Sequence, residues 1–357
     1  MTLDDLPTPA LVVDLDVVEG NVRRWQERAT ALGVRFRPHA KTHKTLELAR
    51  MQVAAGACGL TVAKVSEAEV YVGAGFEDVV VAYPVVARDA ARRLAALASR
   101  ARIGVNVENP VAAEVLSRAA AAAGAELDVH LDLDTGLGRC GVPVDDLEAV
   151  EALAEAIGAL PGLRLRAVTT YRGAFPAAGD PDAAGREEAE LVVAAARRLG
   201  LPDVAAGSTP SGGAVAAVPG VTELRAGTYV FNDLMQVRWG AAAPVDCGLT
   251  ILTTVVSTQR EGRVTVDGGS KTFSGDAAMR DADSPVYARS VDGTVAIDGL
   301  TEEHGVGSAE RAVRVGDRIA VVPAHVCTTV NLSDELVAVR GGRVEAVWPV
   351  AARGRRT

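Results

Sequence analysis

Arg37-Pro38-His39-Ala40-Lys41-Thr42-His43-Lys44 comes directly after a short run, residues 34–37, that reads as a β-strand. That placement decides how the rest of the chain is read. Lysine is the side chain that condenses with an aldehyde, and burial lowers its pKa so that the free amine is available. A lysine just past the carboxyl end of a barrel strand is a place where pyridoxal phosphate (PLP) can be held through its aldehyde. Lys41 is therefore the first candidate catalytic and cofactor-binding residue.

Working outward, short β-branched runs alternate with alanine-rich helical stretches such as 89–100 and 110–123. The predicted strands are 34–37, 59–63, 78–82, 102–106, 127–132, 164–169, 203–206 and 222–225. Strands interleaved with helices in this way predict an α/β fold, a (β/α)8 barrel of the TIM type. An earlier run, 10–14, is expected to lead into that barrel through a helix carrying Asn21 and Trp25. Beyond about residue 240 the texture changes to short alternating strands at 249–257, 263–267, 294–297, 318–322, 336–340 and 344–350. Turns such as Asp267-Gly268-Gly269 separate them, which predicts a C-terminal antiparallel β domain. Residues 8–238 are expected to form the barrel and 239–357 the β domain, with residues 1–7 packing on the latter.

Composition removes several classes. A net charge of −9 argues against a nucleic-acid surface. No apolar stretch is long enough to span a bilayer, and the acidic start Met1-Thr2-Leu3-Asp4-Asp5 reads as neither a signal nor a transit peptide. The cysteines Cys58, Cys140, Cys247 and Cys327 are widely spaced with no CxxC pair, so free thiols in a reducing cytoplasmic compartment are expected.

Functional groups of a barrel gather where strands end. Gly207-Ser208-Thr209-Pro210-Ser211-Gly212-Gly213 follows the seventh predicted strand. Small residues let backbone N–H groups approach a phosphate, and barrel phosphate sites often lie after strands seven and eight. Beside Lys41, the loop reads as a phosphate cradle rather than a plain turn, with Gly207, Ser208, Gly212 and Gly213 around the phosphate. Arg139, after strand five, is either a contact to an anionic cofactor oxygen or a surface turn residue. Tyr171, after strand six, and Tyr229, after strand eight, are each either cofactor hydrogen-bonders or packing residues. His325-Val326-Cys327 is placed at the end of a strand, where residues i and i+2 share a side, so an imidazole and a thiolate can meet one metal. The competing reading is a buried pair with no metal. His304 is either an acid/base or a solvated turn residue.

These residues resemble the D-threonine aldolase/D-serine dehydratase family of fold-type III PLP enzymes, whose barrel is like that of alanine racemase. The resemblance runs nearly end to end. It includes Thr8-Pro9, Arg37-Pro38-His39-Ala40-Lys41, Gly138-Arg139-Cys140-Gly141, the 207–213 loop, Glu223 to Tyr229, Asp267 to Lys271, Glu303-His304-Gly305, His325-Val326-Cys327 and Asn331-Leu332. It implies that Lys41 holds the cofactor, that Arg139 and Tyr171 contact its ring or substituents, and that Tyr229 lies near the phosphate. It also implies that His325 and Cys327 bind a divalent metal, Zn²⁺ or Mn²⁺, that meets the substrate's β-hydroxyl. A homodimer is implied as well.

The implied substrate is a β-hydroxy-D-amino acid, and two lyase outcomes compete. Dehydration gives a 2-oxo acid and ammonia; retro-aldol cleavage gives glycine and an aldehyde. The family's aldolases carry His-x-Asp where this chain has His325-Val326-Cys327, and they place a histidine shortly after the strand-six tyrosine. Here Tyr171 is followed by Arg172-Gly173-Ala174-Phe175-Pro176-Ala177, without one. A substitute base must come from His39, His43, His130, His304 or a metal-bound water. Both departures lean toward dehydration. A metal-independent racemase on the same fold is the other alternative.

Overall fold

The computed structural model describes residues 1–173, 179–281 and 284–357. The chain divides into two compact units. One comprises Met1–Arg23, Thr42–Leu48 and Thr228–Arg353; the other comprises Arg24–Lys41, Ala49–Gly227 and Gly354–Thr357.

The second unit is the barrel. Its parallel strands are Arg35–Phe36, Leu60–Val62, Asp78–Val81, Arg102–Val107, Leu127–Asp134, Leu163–Thr170, Asp203–Ala206 and Glu223–Leu224. From Leu60–Val62 onward each pairs with the next in that order, and Glu223–Leu224 returns to pair with Arg35–Phe36. The ring closes between the first two strands through a parallel bridge, His39 to Thr61. There Thr61 N donates to Pro38 O, and Ala40 N to Thr61 O, both at 2.8 Å.

The strands form where β-branched and aliphatic residues cluster, and Val79, Val81, Val105, Leu127, Val129 and Leu131 are fully buried. Burial of each such side chain contributes about 1.5–3 kcal/mol. The outer helices begin at readable caps. Asn109 accepts from Ala112 N at 2.9 Å with Pro110 in the first turn, and Gly124 ends that helix at φ 61°. Asp180 caps Pro181–Arg198 in the same way by accepting from Asp182 N at 2.9 Å.

The first unit is antiparallel, with one exception. Strands Arg263–Val266, Gly305–Ala309, Val295–Leu300, Ala288–Ser290, Arg318–Pro323 and Leu249–Ser257 pair in that order, and the last also pairs with the first to close a small barrel. Ala10–Asp14, Glu335–Arg340 and Arg343–Pro349 extend the sheet from Leu249–Ser257.

Ala10–Asp14 leads to the first barrel strand through the helix Leu15–Ala31, which carries Asn21 and Trp25 as expected, but is not itself part of the barrel sheet. It pairs antiparallel with Leu249–Ser257, Ala10 opposite Leu252, and parallel with Glu335–Arg340, Val12 opposite Val337. Leu11, Val12 and Val13 are all buried, as suits a strand with neighbours on both edges and cover on both faces. Residues 8–23, expected with the barrel, and residues 228–238 accordingly fall in the β unit.

The strand before His325 starts where expected, at Arg318, but does not reach His325. It ends at Pro323, and Val326–Leu332 is a helix. The Asp233 carboxylate accepts the Val326 N–H at 3.1 Å, satisfying a first-turn donor and turning the chain into that helix.

Candidate active site

Lys41 follows the first barrel strand, as expected, and is half-buried. Its Nζ lies 5.6 Å from the centre of the Tyr171 ring, and the Arg139 guanidinium lies 5.1 Å from the same centre. The barrel thus brings together three of the residues singled out from the sequence, contributed after strands one, five and six. The loop that presents Arg139 is shaped by Asp134, whose Oδ1 accepts from the N–H groups of Gly136, Leu137 and Gly138 at 2.9, 2.8 and 3.2 Å. An amine and a guanidinium beside one aromatic face suit a planar ring that carries an anionic group.

The 207–213 loop follows strand seven. Ser208, Thr209 and Ser211 are buried, and the Ser208 and Ser211 hydroxyls lie 2.8 Å apart. Gly207 holds φ 97°, and a Cβ there would sit 2.7 Å from Leu224 Cδ1, so both conformation and space call for glycine. Gly212 and Gly213 open the short helix Gly212–Ala216, whose first N–H groups have no acceptor within the helix. Buried hydroxyls beside such N–H groups fit a phosphate.

In the β unit, His325 precedes the helix Val326–Leu332 with an extended backbone, and Cys327 sits in its first turn. The pairing of imidazole and thiol survives this change of geometry: Cys327 is a hydrogen-bond partner of His325. Burial opposes charging the imidazole, but Cys327, Asp233 and Asp276 together hold it well above its usual range. Asp276 Oδ2 lies 2.7 Å from His325 Nδ1 and accepts from Thr328 Oγ1 at 2.9 Å. A carboxylate on Nδ1 fixes the ring and leaves Nε2 as the donor for a metal. Thr42 Oγ1 is 3.3 Å from Cys327 Sγ. Among the described residues no group of three or more His, Cys, Asp or Glu side chains is arranged to hold a metal. Imidazole plus thiolate suits Zn²⁺ and leaves positions for other ligands.

The remaining candidates fall elsewhere. Tyr229 is fully buried in the β unit, in the short turn Thr228–Val230. His304 lies exposed in the hairpin turn between Val295–Leu300 and Gly305–Ala309, where its carbonyl accepts from Thr301 N at 2.9 Å. Of the other histidines, His39 Nδ1 lies 3.4 Å from the Lys41 amide, and His43 Nδ1 accepts from Thr45 N at 3.2 Å. His130 is held at Nδ1 by Arg225 Nη2 at 2.6 Å, and burial together with that guanidinium keeps it neutral. The stretch 174–177, where a histidine is absent, lies outside the described residues.

Two further groups gave no separate signal in the sequence. Asp276 is 49 positions before His325, with no motif joining them. Glu223 and Arg225 were read only as part of a longer block. Their side chains form a buried chain from Arg37 through Glu223 and Arg225 to His130, with links of 3.0, 3.2 and 2.6 Å.

Comparison with known proteins accounts for both units. A family model described as alanine racemase, N-terminal domain, matches residues 13–234. A second, described as a putative serine dehydratase domain, matches residues 248–339. D-threonine aldolase of Arthrobacter sp. is 36% identical over 97% of this chain and 93% of its own. D-threo-3-hydroxyaspartate dehydratase of Delftia sp. (strain HT23) is 35% identical over 92% of this chain and 93% of its own. A cysteine-to-alanine variant of D-threo-3-hydroxyaspartate dehydratase, solved in a metal-free form, superposes with a TM-score of 0.87 at 32% identity, covering 98% of each chain. The crystal structure of D-threonine aldolase from Filomicrobium marinum superposes with a TM-score of 0.90 at 35% identity, covering 99% of this chain and 97% of that one. Lys41 with its Tyr171 and Arg139 neighbours, the cradle after strand seven and the His325–Cys327 pair are thus set in a fold shared nearly end to end, and this chain belongs to the alanine racemase-like, fold-type III family of D-threonine aldolases and D-serine dehydratases.

Proposed function

We propose that this protein is a PLP-dependent, divalent-metal-assisted lyase of β-hydroxy-D-amino acids, and that dehydration and deamination is its main outcome. The observation that carries the reading is the His325–Cys327 pair with Asp276 on the imidazole Nδ1. It supplies a nitrogen and a thiolate donor, where a racemase needs neither. Bound PLP supplies an electron sink for charge at Cα, and a bound divalent ion polarises the β-hydroxyl so that it can depart.

Each named residue then has a task. Lys41 holds the cofactor through its amine and, once that amine is free, takes the Cα proton. Arg139 and Tyr171 orient the ring between a cation and an aromatic face. Ser208, Ser211 and the first N–H groups of Gly212–Ala216 hold the phosphate. His325 and Cys327 hold the metal, Zn²⁺ by the chemistry of the donors and Mn²⁺ as the alternative. The Cys327 thiolate in place of a carboxylate, together with a chain of only five histidines, favours loss of hydroxide over removal of its proton.

A homodimer in the cytoplasm completes the reading. All four cysteines are free, and among the described residues no helix is long and apolar enough to cross a membrane.

The deciding measurement is product analysis by NMR on D-serine, D-threonine and D-threo-3-hydroxyaspartate, with and without a chelator. A 2-oxo acid and ammonia, lost on chelation and restored by Zn²⁺ or Mn²⁺, is the expected result. Glycine with an aldehyde would overturn the dehydration preference. Loss of optical rotation that persists under chelation would replace the lyase with a racemase.

A further inference from the structure

Glu188 lies in the middle of the helix Pro181–Arg198 and is 1% exposed. Its Oε1 accepts two backbone N–H groups, from Arg172 and from Gly207, each at 3.4 Å. Arg172 follows Tyr171 directly, and Gly207 is the first residue of the Gly207–Gly213 loop. A single carboxylate oxygen therefore joins the segment after strand six to the segment after strand seven.

The helix touches the second segment again one turn earlier. A Cβ on Gly185 would lie 2.7 Å from the Ser211 Cβ, so glycine at 185 lets the helix press against the loop that carries both hydroxyls. The surroundings of Glu188 are otherwise nearly free of charge. The loop 207–213 and the helix Gly212–Ala216 contain no ionisable side chain. Arg172 is the charged group acting on it, and the Arg172 guanidinium is itself paired with Glu187 at 2.7 Å. Burial pushes the Glu188 carboxyl up to about 7, partly offset by the two N–H donors. An acid in that setting supports the fold poorly as a charge. It serves well as an acceptor for two amides that would otherwise be buried without one.

We propose that Glu188 is a positioning residue of the cofactor site, one that fixes Tyr171 and the phosphate loop in mutual register by accepting an N–H from each segment. The inference rests on the reading of those two segments as PLP-binding. It assigns no contact between Glu188 and the cofactor. It predicts that the acceptor oxygen matters and the charge does not.

The test is PLP uptake by the cofactor-stripped protein, followed by absorbance at pH 8 in the wild type, Glu188→Gln and Glu188→Ala. Circular dichroism of each stripped protein checks the fold. Glu188→Ala should weaken PLP binding by about tenfold or more, because two amides lose their acceptor. Glu188→Gln keeps an oxygen in the same place and should bind within about threefold of wild type. Wild-type affinity in Glu188→Ala, or equal damage in Glu188→Gln and Glu188→Ala, overturns the inference. If Glu188→Ala does not fold, Glu188→Asp takes its place: it withdraws the oxygen by one methylene and should weaken binding, and wild-type affinity there is again an overturning result. A wild-type protein that takes up no PLP at all refutes the underlying reading of the loops, an outcome visible before any variant is compared.

Discussion

The two mouths of the barrel are built from the same residue types and treat them in opposite ways. At the amino-terminal mouth the charges are spent on one another. Arg35 meets Asp203 at 2.7 Å, Arg37 meets Asp78 at 2.6 Å, and Arg102 and Arg164 both meet Asp128 at 2.6 Å. Glu223 takes Arg37 and Arg225 at 3.0 and 3.2 Å, closing most of a ring. At the carboxyl-terminal mouth, Lys41 and Arg139 face an aromatic ring, the Ser208 and Ser211 hydroxyls face each other, and Asp132 accepts one hydrogen bond from Asn106 at 3.0 Å. Saturated charge makes a structural end. Charge held near an aromatic face is the arrangement on which the proposed cofactor site rests.

The sharpest way to break this contrast is Lys41→Ala. The amino-terminal ring is untouched by it, so folding and melting temperature should stay near wild type while turnover falls below detection. The absorbance band of lysine-held cofactor, near ~420 nm, should vanish, because no other amine holds the aldehyde. A surviving band would mean that another lysine, with Lys44 the neighbour in sequence, does the holding. A large drop in melting temperature would mean that the two mouths are not separable in function.

Glu223→Gln probes the opposite mouth. Burial disfavours the Glu223 carboxylate, yet Arg37 and Arg225 hold it far below the usual range, so the ionised form is the native one. Neutralising it leaves two buried guanidinium groups short of their shared counter-ion, which costs about 3–5 kcal/mol. Thermal unfolding should show that loss at neutral pH. An unchanged melting temperature would mean that Asp78 and Asp132 compensate, and the ring would no longer be the structural end of the barrel.

What the sequence made legible follows the same division between local and distant causes. All eight barrel strands fall within a few residues of their expected places, because each is a short stretch set off by helical stretches nearby in the chain. Ala10–Asp14 was grouped with the barrel because its partners, Leu249–Ser257 and Glu335–Arg340, lie far along the chain and nothing local announces them, although its lead into the barrel through a helix was legible. Gly305–Ala309 was missed because two glycines in five residues interrupt the alternation that marks a strand. In the site, Lys41, Arg139 and Tyr171 were legible as residues at strand ends. The turn at His325 was not, since it depends on the distant carboxylate of Asp233.

Acidity gives the last and smallest test, because the two mouths should answer pH with opposite signs. Glu223 has its folded-state pKa lowered, so its contribution is present above the unfolded value near ~4.5 and is lost as pH falls. Asp132 has its pKa raised from 3.8 to about 6, chiefly by burial, with the Asn106 hydrogen bond and Arg225 opposing. Its contribution is therefore complete below the unfolded value and is lost as pH rises through about 6. Asp132→Asn removes the ionisation and keeps an oxygen for Asn106. Its stability relative to wild type should be flat below pH ~4, climb between ~4 and ~7, and level off about 3 kcal/mol higher. Melting curves across that range are sufficient to see it. A difference that stays constant with pH would mean that Asp132 is ionised without penalty, and the carboxyl-terminal mouth would then be as well compensated as the other end.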